Sequence, residues 1–161
     1  MGQQQLILLA LAVVIVGGAI VVGIRAFSEN AVKSNADVMM QDAVRIANDL
    51  QAWKQKPAPF GGQFAVAVIA VVNDPKDYTG ATFALLGYRE DTPATTYTNL
   101  NGTFTLTIAA ASTLIRGINL QHDNIIDVTI CGTRDDTLTG YIFELGGVPS
   151  LATAPTCVPA S

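Results

Sequence analysis

Residues 6–24 read LILLALAVVIVGGAIVVGI, nineteen positions without one charged or strongly polar side chain. A helix of that length reaches about 28 Å, enough to cross the hydrocarbon core of a bilayer. A secretory signal would carry Lys or Arg ahead of its apolar stretch and end in a small-residue cleavage site, but Met1 to Gln5 holds no basic residue. The first cation is Arg25, on the far side. Taken alone, that asymmetry places the C-terminal part in the cytoplasm by the positive-inside rule.

Helical character continues past Ile24. Val32, Ala36, Met39, Ala43, Ile46, Leu50 and Trp53 follow at alternating spacings of four and three, which lays them on one face. Glu29, Lys33, Asp37, Asp42, Arg45 and Asp49 fall between them, with Glu29–Lys33 spaced for an i,i+4 pair and Asp42–Arg45 for an i,i+3 pair. No proline occurs before Pro57, so one helix is expected from about Gln3 to about Gln55. Gly17, Gly18 and Gly23 weaken it by about 1 kcal/mol each relative to Ala in water. Close helix packing and local melting of Gly17-Gly18 during transfer from lipid to an assembly are both readings of these glycines.

Lys56-Pro57-Ala58-Pro59-Phe60-Gly61-Gly62 ends the helix and forms a neck, dividing the chain into 1–56 (apolar over 6–24, amphipathic over 25–56) and a head over 57–161. Strands are expected at Gln63–Val72, Thr82–Tyr88, Thr95–Leu100, Thr103–Ala109, Ile125–Cys131 and Gly140–Leu145, all rich in Val, Ile, Thr, Phe and Tyr. Asn101-Gly102, between two alternating runs, signals a hairpin turn. Ala110–Asn119 reads equally as a short helix or a loop, and the tail from Pro149 to Ser161 as irregular. The fold class that results is α+β: a long N-terminal helix on a small, mainly antiparallel sheet.

Cys131 and Cys157 are the only cysteines, with no CxxC spacing and one histidine in the chain. A structural disulfide in an oxidising compartment fits them, with two buried free thiols as the alternative. The disulfide places the head outside the cytoplasm. It agrees with the charge asymmetry if a short basic leader has been removed and Met1 is the first residue of the processed chain.

Chemistry is sparse. His122 has no GxSxG motif beside it, and the glycine pairs form neither a P-loop nor a dinucleotide fingerprint, so no catalytic or cofactor-binding residue is assigned. Asn73-Asp74 with Asp77, Asp123-Asn124 with Asp127, and Asp135-Asp136 supply oxygen atoms but lack EF-hand spacing; they read as solvated turns and no metal site is assigned. Asn101-Gly102-Thr103 is also an N-glycosylation sequon. From Pro57 onward four cations face nine acids, a net charge of minus five that argues against a nucleic-acid surface.

An apolar half-helix, an amphipathic second half, a neck, a β-rich head and a late cysteine pair together resemble the type IV pilin superfamily. The resemblance implies removal of a leader by a prepilin peptidase, a methylated N-terminus and bundling of the apolar helices into a filament core. It further implies a subunit held in the membrane before assembly, then handled by pilus-assembly machinery into a homopolymer at the cell surface. On this resemblance the assembly helix comprises Leu6, Leu9, Val13, Gly17, Gly18, Val21 and Ile24, and the processed end Met1 and Gln5. Typical bacterial pilins carry glutamate at the fifth mature position, where this chain has Gln5, or Ile7 if cleavage follows Gly2. An amide accepts a hydrogen bond from an ammonium group but supplies no charge. The departure leaves secretion-system pseudopilins and archaeal-type pilins open, beside a membrane-anchored exported binding domain that never polymerises.

Overall fold

The computed structural model describes residues 2–62, 78–109, 112–132, 138–144 (backbone alone at 141–144) and 157. Met1, the strand expected at Gln63–Val72, the Asn73-Asp74-Asp77 and Asp135-Asp136 clusters, and the tail apart from Cys157 lie outside the described residues.

Helix α1 spans Gly2–Gln55, as the unbroken run of helix-compatible residues before Pro57 requires. The chain forms two compact units, Met1–Ser34 and Asn35–Ser161. The cause is the amphipathic face. Ala36, Met39, Ala43, Ile46, Ala47, Leu50 and Trp53 are buried and belong to the core of the second unit. Lys56 N–H closes the last helical turn on Ala52 O and Trp53 O, and the Trp53 indole N–H donates to Gly61 O at 3.0 Å. Gly61 takes φ +84°, a value that suits glycine, after a 3-10 turn at Ala58–Phe60.

Five strands follow among the described residues: β1 Thr96–Thr98, β2 Thr103–Ala109, β3 Ser112–Asn119, β4 Asn124–Ile130 and β5 Leu138–Glu144. They form one antiparallel sheet in the order β1-β2-β3-β4-β5, each strand paired with its neighbours in sequence. The fold is thus α+β, with the second half of α1 packed on the sheet. Phe104 and Leu106 of β2, Ile115 of β3, and Ile126, Val128 and Ile130 of β4 share the core with that helix and with Tyr78, Ala81 and Phe83. Register aligns Phe104, Gly117 and Ile126 across three strands. A Cβ at Gly117 would lie 2.8 Å from Ile126 Cγ1 and 2.9 Å from Phe104 Cε1, so the large neighbours close over the glycine.

Two local expectations need correction, while the hairpin expected at Asn101-Gly102 forms. Thr82–Tyr88 is a series of turns and not a strand: Leu86 N–H and Tyr88 N–H donate to Phe83 O, and Gly80 and Gly87 adopt positive φ. Its aromatic content serves packing instead, since Phe83 and Tyr88 join Tyr97 and Phe104 with ring centroids 5.0 to 6.2 Å apart. Residues 112–119, read as helix or loop, form β3.

Asn101-Gly102 is part of a four-residue connection, because Thr98 pairs with Thr103. Asn99 Oδ1 organises that loop by accepting from the N–H groups of Asn101 and Gly102 at 2.9 and 3.1 Å. Gly102 is needed there for space: a Cβ would come within 2.8 Å of Ile118 O and 3.0 Å of Met39 Cε.

Candidate functional site

Within the first unit, the residues assigned to assembly are exposed along the helix. Leu6, Leu9, Val13, Val21 and Ile24 each expose more than half of their surface, and Gly17 and Gly18 are exposed as well. Their neighbours share this exposure: with these five included, thirteen Leu, Ile and Val side chains from Leu6 to Ile24 are open. The segment is long and apolar enough to cross a membrane, with none of its most apolar window buried. A Cβ placed at Gly17, Gly18 or Gly23 meets nothing within 4 Å, so no contact inside the described chain requires glycine there. Gln5 is exposed in the first helical turns, which contain no acid.

The second unit holds a polar cluster that the sequence reading did not anticipate. Asp42 of α1 accepts from Asn99 Nδ2 at 2.9 Å and from Asn101 Nδ2 at 2.7 Å. Asn101 O accepts in turn from the side-chain amides of Asn35 and Asn119. Asn124 Nδ2 donates to Asn35 Oδ1 at 3.0 Å, and Asn119 Oδ1 accepts from the N–H groups of Gln121 and His122. Five asparagines and one aspartate thus tie the β1–β2 loop and the β3–β4 turn to the helix. The sequon nitrogen of Asn101, the atom a glycan would modify, is the one bound to Asp42. Only its Asn-Gly-Thr signature was visible in the sequence; the partners come from elements up to 89 positions apart.

The remaining polar candidates have structural roles. Asp127, grouped in the sequence with Asp123 and Asn124 as a solvated cluster, is buried in β4, where its carboxylate accepts from Arg116 Nε and a terminal nitrogen at 2.8 and 2.7 Å. That bidentate pair raises the Arg116 pKa further, chiefly through the hydrogen bond. Asp123 is exposed in the β3–β4 turn at φ +52°, and half-buried His122 precedes it. Among the described residues no group of three His, Cys, Asp or Glu side chains could hold a metal ion. The Asp42–Arg45 and Glu29–Lys33 pairs are not formed: Asp42 faces the asparagines, and Glu29 and Lys33 stay apart.

Gly132 O accepts from Tyr78 Oη at 2.6 Å and Gln51 Nε2 at 3.1 Å, fixing the end of β4 to the helix. Burial pushes the Tyr78 phenol well above its usual range, and Tyr88, which donates to Asp49, rises through burial and that bond. Cys131 and Cys157 are joined in a disulfide with Cα atoms 5.4 Å apart. No protein-family model, curated protein or solved structure matches the chain. The exposed apolar helix is therefore the feature on which a functional reading rests.

Proposed function

We propose that this chain is a structural subunit of an extracellular, type IV pilus-like filament, held in a membrane by Leu6–Ile24 and polymerised by transfer of that segment into a bundle of identical helices. The observation that carries the reading is the set of thirteen exposed large apolar side chains on one uninterrupted helix. Removing them from water is worth roughly 20 kcal/mol or more, far beyond what a small domain can leave unsatisfied. Lipid meets that demand before assembly and neighbouring helices meet it afterwards. The buried second half of α1 keeps the head folded in both states, and the Cys131–Cys157 bond suits a head exposed to an oxidising space. Assembly machinery, not a cofactor, is the partner this requires.

Electron microscopy of sheared surface material tests the proposal. Thin filaments that bind antibody to the head are the expected result. Recovery of the chain only from detergent-solubilised membranes would point to an anchored domain instead. Replacing Gly17 and Gly18 with leucine should lower filament yield; unchanged yield would remove the glycines from the assembly account.

A further inference from the structure

Arg25, Glu29 and Lys33 follow the apolar segment at intervals of four, so they form one ridge on the helix with charges plus, minus, plus, an alternation that exposed Asp37 continues with a minus. All three are exposed, and no ion pair among the described residues involves them. Spacing alone would let Glu29 close on Lys33 within the helix, yet it does not. We propose that this ridge is a register-setting contact for a second copy of the same chain, parallel to the first and displaced by four residues along the helix axis. The inference rests on the filament reading and adds its geometry.

Identical chains that enter a membrane by the same route are parallel. Two parallel copies in register set Arg25 against Arg25, Glu29 against Glu29 and Lys33 against Lys33, which repels at every position. A displacement of four residues, about 6 Å, sets Arg25 against Glu29 and Glu29 against Lys33. At eight residues, about 12 Å, Arg25 meets Lys33 and repulsion returns. The ridge therefore selects a staggered arrangement over a flat ring. Staggering by a constant step is what generates a helical polymer in place of a closed oligomer. Exposed ion pairs are weak in water, but these follow directly on a segment that excludes water once bundled, and a lower local dielectric strengthens them. The apolar residues supply affinity without specifying position, since any axial slide keeps Leu, Ile and Val in contact. The charges specify the step.

The test compares full-length chains expressed in the native host at low and high salt. Formation of the Cys131–Cys157 bond serves as the check that each head is exported and folded. Glu29→Lys puts three cations in succession at positions 25, 29 and 33 and should lower sheared-filament yield about tenfold at low ionic strength, with a smaller loss at high salt. The reversal R25E/E29K/K33E/D37K, which includes the exposed Asp37 four residues beyond Lys33, retains self-complementarity and should restore yield. Mixed with wild type it should give separate filaments, because the two ridges repel at the four-residue step. Where a charge reversal prevents export, Glu29→Gln should show a weaker loss in the same direction.

Wild-type filaments whose neighbouring helices are offset by about 6 Å over these residues are expected. Equal yield from wild type and Glu29→Lys would overturn the ridge while leaving the filament reading intact, as would a reversal that is exported but fails to assemble. Loss of membrane retention in Lys33→Glu with normal filament yield would assign the charges to lipid headgroups and also overturn it. Absence of filaments from the wild type would remove both readings.

Discussion

Two stretches of one helix, Leu6–Ile24 and Ala36–Trp53, have opposite surroundings. The first has apolar residues on every side and all its large ones open; the second gathers most of its apolar residues on one face and buries that face against the sheet, leaving Val38 and Val44 exposed. Periodicity separates the two. A one-sided pattern can be satisfied by a sheet from the same chain, whereas an all-round pattern needs a surrounding medium, which a head of this size does not provide. The second stretch thus holds the head together, while the first keeps its large apolar side chains exposed.

The sharpest way to break this contrast is to make the same substitution in both. Leu50→Ala should destabilise the head by about 2–5 kcal/mol, read by denaturant unfolding of the oxidised full chain in detergent, because Leu50 is fully buried. Leu9→Ala should leave that unfolding curve unchanged. A charge in the first stretch reverses the pattern. Ile15→Asp should cost about 3 kcal/mol of membrane insertion and abolish assembly, measured by carbonate extraction and sheared yield, with head stability preserved. If Ile15→Asp unfolds the head, the division between the two stretches fails.

Much of this division was legible from residue order. The helix ends, strand β2 and the face expected from Val32 to Trp53, buried from Ala36 onward, follow from proline placement, spacing and composition, and of the two readings of Cys131 and Cys157 the disulfide is the one formed. Strand β3 escaped because almost all of its residues are covered on both faces, which erases the alternation that marks a half-buried strand. Thr82–Tyr88 misled for the converse reason: Thr, Phe, Leu and Tyr favour strands, but the backbone follows Gly80 and Gly87. The asparagine network was hidden because its geometry depends on four separate segments meeting at Asp42 and Asn101. The finding that Gly17, Gly18 and Gly23 face open space could come only from the structure.

Smaller effects sharpen the account of the head. Asp42→Ala leaves the amides of Asn99 and Asn101 without their charged acceptor and should cost about 1.5–3 kcal/mol, with Asp42→Asn recovering part of it. The loss should appear as faster hydrogen exchange in the β1–β2 loop before global unfolding. Least in size is a pH effect. Tyr78 and Tyr88 have folded pKa values raised above those of an unfolded chain, so their contribution is complete below about pH 10 and declines as pH rises further. Tyr88→Phe should flatten that alkaline decline in thermal melts, with no change at neutral pH in its slope against pH.

The central claim is that the open face of Leu6–Ile24 ends up against other copies of the same segment. A photo-crosslinking side chain in place of Val13, activated in sheared surface material, tests it directly. The account predicts a ladder of covalent multimers containing only this chain. Lipid adducts and monomers confined to the membrane fraction, with no multimer in the sheared material, would contradict it.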